Sequence, residues 1–355
     1  MTKSSRATSG ADSSAAKRGG GSSAAQSGGG APAAKRGARS MQRVLVLADG
    51  DKGEVHALID KLEPWMQSRV GVLEIAADVR AFYKQRQTQE QKLAARERPD
   101  LVVVLGGDGA ILAAVRAFAD APVPTIGINF GRVGFLASAE TSRWREALAE
   151  ILDGRAVIEP RMRLTAELCP SERRSVAEQK TAAVSAVALN DVVVTRGAFQ
   201  GMLTLELKVG DDWLTNYRAD GLIVATPSGS TAYSLAAGGP ILAPSMQALV
   251  VTPICPQALS HRAIVLDADA ELTLSVIEAS GLTTLVIDGQ GFYPMHEGDC
   301  VKLKRHPVAY PVLALKGADP YTRLRERLGW RGSFEPEAET SDAPKRKREQ
   351  DEGVL

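Results

Sequence analysis

Aromatic side chains are scarce in this chain, with four Trp, six Tyr and seven Phe among 355 residues. So few rings argue against a stacking platform for single-stranded nucleic acid. An excess of either charge is missing too. The 43 basic side chains nearly cancel the 42 acidic ones and leave a formal charge of +1, so neither nucleic acid nor a membrane is indicated as a partner. No apolar run approaches the ~18 residues that a membrane span requires. Cysteine is rare: Cys169, Cys255 and Cys300 are scattered without metal-ligand spacing. They suit a reducing cytoplasm, where they pack as small side chains. His56, His261, His296 and His306 show neither metal spacing nor a local triad partner. No serine stands in a nucleophile elbow, which removes the usual signal of a hydrolase.

What the chain does carry is 44% hydrophobic residues, enough for two ordinary domains with tails. Residues 1–40 are mostly Ser, Gly, Ala, Lys and Arg and are predicted to be a disordered tail, as is the polar stretch 331–355. The cluster Lys345, Arg346, Lys347 and Arg348 within it reads as solvated. Between the tails, residues 41–160 alternate buried-type strands at 43–47, 70–75, 101–105 and 124–128 with helical stretches at 55–66, 79–95 and 110–118. Such alternation implies a parallel sheet with ligands beyond the carboxyl ends of its strands. An amphipathic segment with Thr141, Trp144, Leu148 and Ile151 follows. From 161 to 313 strand-like runs succeed one another at 164–168, 187–195, 203–209, 222–225, 263–266, 272–276, 284–288 and 301–303. This is a second, mostly β region. Residues 314–330 close the ordered chain with a helix near 321–328.

Gly106, Gly107, Asp108 and Gly109 stand directly after the apolar run 101–105. Paired glycines stop that strand, and the helical composition beyond them puts Asp108 and Gly109 at a helix start. Bare amides there attract phosphate, and glycine lets a ligand approach closely. A carboxylate among them repels phosphate unless it holds a metal or takes a proton from a hydroxyl. Asp108 also qualifies as an ordinary helix cap, so both readings stand. Asp49-Gly50 and the 129–135 loop, with Gly131, Arg132 and Gly134, end two other strands on the same edge. The three loops are expected to share one crevice.

A second constellation lies in the β-rich region. The strand 222–225 runs into Thr226, Pro227, Ser228, Gly229, Ser230, Thr231, Ala232, Tyr233 and Ser234. Thr-Pro turns the chain, and Ser230 is placed to cap a short helix over 231–237 that Gly238, Gly239 and Pro240 end. Small residues here leave room for a flat ligand near Tyr233 and the hydroxyls. Asn190-Asp191 and Asp220, after Arg218, sit at strand boundaries and suit ribose hydroxyls and adenine edges, or ordinary turns. Residues 286–290 read as a hairpin turning at Asp288-Gly289, from which Gln290 can reach a ligand.

In this order, and with Thr252, Pro253, Ile254, Cys255 and Pro256 following, the motifs resemble the NAD kinase family over most of 43–315. Diacylglycerol-type lipid kinases and phosphofructokinases share the first motif without the second. The resemblance implies an N-terminal Rossmann-like α/β domain, a β-rich NAD-binding domain after it, and an active site between them. It implies transfer of the γ-phosphate of ATP to the 2′-hydroxyl of the adenosine ribose of NAD, in a cytoplasmic homodimer or homotetramer. Asp108 is then the general base, with Gly106, Gly107, Gly109 and Arg132 on the ATP phosphates. NAD falls to Asp108, Gly109, Asn190, Asp191, Arg218, Asp220, Thr231, Ala232, Tyr233, Ser234, Leu235, Ala236 and Gln290. A divalent cation, Mg²⁺ before others, is implied without assigned ligands. Ala110 departs from the Thr or Asn common there, Ser228 replaces a common Thr, and Gln257 and His261 stand where His and Asn are frequent. Gly201 offers no side chain where some members place a binding residue. A lipid or sugar kinase with the same phosphate turn, and a dinucleotide sensor without turnover, are the competing readings. The hydroxyl-rich run favours a nucleoside acceptor over a lipid, and Asp108 argues against a sensor, which binds phosphate better without it.

Overall fold

The computed structural model describes residues 42–50, 53–88, 98–131, 134–197, 201–317 and 319–330. The tails predicted at 1–40 and 331–355, Arg132, and the end of the helix predicted over 79–95 lie outside the described residues.

The first region comprises β1 (Arg43–Ala48), α1 (Gly53–Gln67), β2 (Val72–Ala76), α2 (Val79–Thr88), β3 (Leu101–Leu105), α3 (Asp108–Ala117), β4 (Thr125–Asn129), β5 (Ala139–Glu140), α4 (Trp144–Leu152) and β6 (Val157–Arg161). Strands β1, β3 and β4 are buried on both faces, as a parallel sheet between helical layers demands. Their side chains alternate. Val44, Val46, Leu101 and Val103 meet α1 and α4 through Leu62, Met66, Leu148 and Ile151. Leu45, Leu47, Val102 and Val104 meet α2 and α3 through Val79, Ile111, Leu112 and Val115.

The second region comprises β7 (Leu164–Cys169), α5 (Val176–Ala182), β8 (Val184–Ala188), β9 (Asp191–Arg196), β10 (Leu203–Val209), β11 (Asp212–Ala219), β12 (Gly221–Ala225), α6 (Tyr233–Ala236), β13 (Ala248–Ile254), β14 (Ile264–Asp267), β15 (Leu272–Ala279), β16 (Thr283–Ile287), β17 (Gly291–Met295) and β18 (Cys300–Arg305). It is a sandwich of two antiparallel sheets, ordered β11-β10-β15-β18-β7-β8 and β14-β13-β12-β9-β16-β17. Alternate residues fill the space between them, among them Leu205, Leu274, Val301, Val192, Leu222 and Val251.

The chain then returns to its first sheet. β19 (Tyr310–Ala314) inserts between β4 and β6, giving the order β2-β1-β3-β4-β19-β6, with β5 paired to β4. Residues 310–313, read from sequence as part of the β-rich stretch, are thus hydrogen-bonded into the α/β sheet. α7 (Pro320–Leu328) follows, capped by the Asp319 carboxylate on the Tyr321 N–H and ended by Gly329 at φ 66°. Two local expectations give way. The run 187–195 is two strands, broken at Leu189-Asn190. The helix expected over 231–237 is a 3₁₀ turn, Gly229–Thr231, and a separate α6, kinked at Ala232 (φ −96°, ψ −127°). Ser230 does not cap it: its hydroxyl donates to the Pro227 carbonyl (2.7 Å) and accepts from the Leu242 N–H (2.9 Å).

Candidate active site

β1 and β3 are neighbours, but the chain leaves β1 for β2 on one side and β3 for β4 on the other. The crevice at their carboxyl ends is therefore the topological switch point, where open α/β sheets bind ligands. The loops there close on one another: Asp49 N–H donates to the Leu105 carbonyl at 2.9 Å, and Gly106 N–H to the Ile128 carbonyl at 3.0 Å. A Cβ on Gly106 would lie 2.8 Å from the Ala110 Cβ and 3.1 Å from the Asp49 Cβ, so glycine is needed for this closure.

Asp108 is the first residue of α3, after the N-cap Gly107, and its side chain caps nothing on that helix. The carboxylate instead reaches the third loop. Its Oδ2 accepts the Phe135 N–H at 2.9 Å and its Oδ1 the Leu136 N–H at 3.1 Å. A Cβ on Gly134 would lie only 2.0 Å from that Oδ1. The helix-cap reading is thereby set aside. Buried Arg161, paired with Glu159, lies within electrostatic reach of Asp108. Burial lowers the Arg161 pKa, opposed by the charges of Glu159 and Asp108.

The β sandwich brings a second group of polar residues together. Residues Asn190, Asp191, Val193, Thr195, Tyr233, Val286, Asp288 and Gly289 line a cavity of about 300 Å³. Asn190 Oδ1 is buried there without a hydrogen-bond partner, as expected of an acceptor kept for a ligand. The backbone around it is locked from both sides. Thr226 N–H donates to the Asn190 carbonyl (2.9 Å), the Thr226 hydroxyl to the Leu189 carbonyl (2.6 Å), and a Cβ on Gly229 would strike the Asn190 carbonyl oxygen at 2.0 Å.

Sequence reasoning missed the residue beneath this pair. Asp288 and Gly289 have φ 49° and 64° in the turn joining β16 to β17, which is the expected hairpin. The Asp288 carboxylate is not turned to solvent. It accepts the N–H groups of Leu189 (2.8 Å), Asn190 (2.7 Å) and Asp191 (3.1 Å), and so sets the break between β8 and β9. An Asp-Gly turn signal explains the residue locally and hides this long-range role. Desolvation, with the Asp288 charge second, pushes the Asp191 carboxyl up to about 7, against an N–H bond from Tyr233. Burial raises Asp288 too, opposed by its three N–H donors and the charge of Arg116.

The two groups meet at Gln290. Its Nε2 donates to the Gly109 carbonyl (3.1 Å), and its Oε1 accepts from Arg116 (3.3 Å). Phe135 and Leu136, which hold Asp108, line a small cavity of about 30 Å³ with Ser228 and Thr231. Not every predicted residue converges. Ser234 is buried with its hydroxyl on Thr252 (2.8 Å), and Leu235 and Ala236 continue α6. Arg218 is exposed on β11. Asp220 pairs with Arg196 at 2.7 Å, beyond the Thr195–Gly221 end of the β9–β12 ladder, while Asp191 pairs at its other end with Ala225. Four residue steps along the strand separate the two ends by about 13 Å. Among the described residues no group of three or more His, Cys, Asp or Glu side chains converges on a metal position. Asp49 and Asp108 flank the glycine turn singly, a donor set that fits Mg²⁺ carried by phosphates and water and not a protein-only cage. No helix among the described residues is long and apolar enough to cross a membrane.

Two stretches of the chain match family models of known proteins. Residues 42–156 match the model of the ATP-NAD kinase N-terminal domain, and residues 189–314 that of the ATP-NAD kinase C-terminal domain. An NAD kinase of Rhodopirellula baltica is 37% identical over 290 residues, covering 82% of this chain and 87% of that protein. One of Heliobacterium modesticaldum is 38% identical over 288 residues, 81% of this chain and 99% of that protein. In fold, the chain is similar to yeast NADH kinase complexed with NADH, with TM-score 0.69 and 23% identity over 83% of this chain and 89% of that one. An NAD kinase from Archaeoglobus fulgidus in complex with ATP gives TM-score 0.61 and 22% identity over 80% and 99%.

Proposed function

The chain belongs to the NAD kinase family, and from that premise we propose how its residues divide the transfer of the γ-phosphate of ATP to the 2′-hydroxyl of the adenosine ribose of NAD. One observation carries the reading: Asp108 is held by a loop, Phe135-Leu136, that shares a cavity with Thr231 of the hydroxyl-rich segment. The loop that holds the acid of one region thereby borders the substrate segment of the other.

Asn190 and Asp191 bind the adenosine end of NAD, the Asn190 oxygen taking a hydroxyl or amino proton and Asp191 accepting when ionised. Tyr233 walls the same cavity, with Thr231 and Ala232 before it and the small residues of α6 behind. Gln290 ties the turn below NAD to the glycine loop, and Arg218 and Asp220 act at the distal end of the ligand. Asp108 has four acceptor positions and gives two to backbone N–H groups. The others are free for the 2′-hydroxyl proton as that oxygen bonds to the γ-phosphorus and ADP departs. Amides at Gly106, Gly107 and Gly109, the positive end of α3 and Arg132 bind the ATP phosphates. Bound Mg²⁺ would neutralise charge on those phosphates, with Asp108 or Asp49 as the carboxylates near enough to assist. The enzyme works in the cytoplasm as a homodimer or homotetramer.

Purified protein incubated with NAD, ATP and Mg²⁺, assayed with an NADP-specific dehydrogenase, should form NADP. Tight NAD binding without product would support a sensor instead, and phosphorylation of diacylglycerol would support a lipid kinase.

A further inference from the structure

Behind the Phe135-Leu136 loop, both regions leave polar atoms unpaired beside one cavity. The space of about 30 Å³ that this loop lines with Ser228 and Thr231 is closed by Arg161, at the end of β6, and by Arg323 and Leu324 of α7. Arg161 is 3% exposed and Ser228 7%. The Arg161 Nε and the Ser228 hydroxyl are each buried without a hydrogen-bond partner, while Arg161 Nη2 holds Glu159. Two such orphans are costly unless one group bonds both. A larger cavity, of about 280 Å³, adjoins the first, since Arg161, Pro244 and Leu324 line both. Ile158, Ala243 and Tyr321 give it further apolar wall. Residue spacing explains the convergence. Glu159 and Arg161 share one face of β6, and Arg323 and Arg327 one face of α7, where Arg327 lies over the Phe135 ring at 5.8 Å.

We propose that the two adjoining cavities bind a small neutral carboxamide with an apolar body, its amide between Arg161 Nε and Ser228 and its hydrocarbon under α7. Charge selects a neutral ligand. Arg161 faces Glu159, which also lines the larger cavity, Asp108 and Arg323. These two carboxylates balance the two guanidiniums, so neither an anion nor a cation gains a net attraction. Hydrogen bonding then selects the head group. Arg161 Nε–H can only donate, whereas the Ser228 hydroxyl donates or accepts. A primary amide offers its carbonyl to the first and an N–H to the second. The smaller cavity has room for roughly two water-sized groups, the size of an amide end, and the two together reach the lower range of small-molecule sites. Asn190 and Asp191 line neither cavity, and the Thr231 hydroxyl is turned to the Ser228 carbonyl at 3.1 Å. The site is thus separate from the one assigned to NAD, yet its occupant touches the loop whose N–H groups hold Asp108.

Hexanamide is the probe, titrated into the full-length protein by saturation-transfer and isotope-edited NMR. Wild type should bind it with a Kd of about 1 mM and show NOEs from its methyl group to Leu324 and Leu242. The anion hexanoate, nearly the same in shape, should bind about fivefold more weakly or worse. Ser228→Ala should weaken hexanamide about fivefold. Leu324→Trp, which fills the space from a half-buried helix position, should abolish binding. NAD affinity should stay within about twofold at saturating hexanamide. Hexanoate binding as tight as that of hexanamide would overturn the neutral head group. No binding by wild type, or unchanged binding in both variants, would overturn the site. Competition with NAD would give the cavity to the amide of NAD itself and overturn a separate ligand. These readouts need no turnover, so a failure of the kinase reading shows independently, as absence of NADP.

Discussion

Asp108 offers two oxygens to two backbone N–H groups, an arrangement that an amide with a single oxygen cannot reproduce. Asp108→Asn therefore removes the base and loosens the loop that aims it. Turnover should fall about a hundredfold or more while NAD affinity, carried by Asn190 and Asp191, changes little; single-turnover kinetics and NAD titration separate the two. Near-normal turnover would reduce Asp108 to a structural residue. Asp191 is governed by burial, which with Asp288 pushes it up to about 7. Unfolded, the same group titrates near pH ~4. Between those values the folded chain retains a proton that the unfolded chain has lost, so this residue's contribution to stability falls as pH rises through the window. Asp191→Asn removes that dependence. Its melting temperature relative to wild type should be higher at pH 8 than at pH 5, and an unchanged difference would refute the burial argument. The cysteines divide in a similar way. Cys300 faces Cys169 across β18 and β7, and burial followed by that neighbouring thiol pushes it up to about 11, while Cys255 is exposed. Iodoacetamide at pH 8 should label Cys255 first, as read by peptide mass spectrometry.

At the scale of elements, what was legible in sequence is what local pattern controls. Strands β1 and β3 hold unbroken Val and Leu runs, and α3 buries six successive residues from Ala110 to Val115. The hairpin at Asp288-Gly289 follows from turn chemistry alone. The misses have distant partners. The break at Leu189-Asn190 is made by Asp288, about a hundred positions away, and Ser230 bonds Leu242 instead of capping a helix. The glycines separate structure from function in a way that sequence cannot. Gly134→Ala puts a carbon on the Asp108 carboxylate, so turnover should drop sharply with a smaller change in the KM for NAD. Gly109→Ala meets no protein atom within 4 Å, so its melting temperature should match wild type while ATP binding weakens. The reverse pattern, a destabilised Gly109→Ala with normal ATP binding, would put the phosphates elsewhere.

The whole molecule is less divisible than its two sequence grammars suggest. A change from alternating helices and strands to strands alone is readable near residue 161, but the return of β19 to the first sheet is not, since Tyr310–Ala314 has the same apolar composition as a sandwich strand. Its neighbours decide its place: the Tyr310 hydroxyl meets Thr125 at 2.9 Å, and Val312 and Leu313 enter the cores on opposite faces of the α/β sheet. That sheet is therefore completed only after the sandwich has been traversed. Arg163 fastens the junction. Fully buried, it donates to the carbonyls of Ala119 (2.7 Å) and Val308 (2.9 Å) and bonds His306 Nδ1 (3.1 Å). Because Ala119 follows α3 and Val308 precedes β19, losing this brace should weaken both regions at once. Arg163→Met leaves both carbonyls without the donor, at roughly 1–3 kcal/mol for each group left unpaired. Differential scanning calorimetry should show one transition in wild type, with calorimetric and van't Hoff enthalpies equal, and one transition at lower temperature in the variant. Two separated transitions, with only one of them moved by Arg163→Met, would mean that the sandwich and the α/β sheet fold as independent units and that β19 joins a sheet already stable without it.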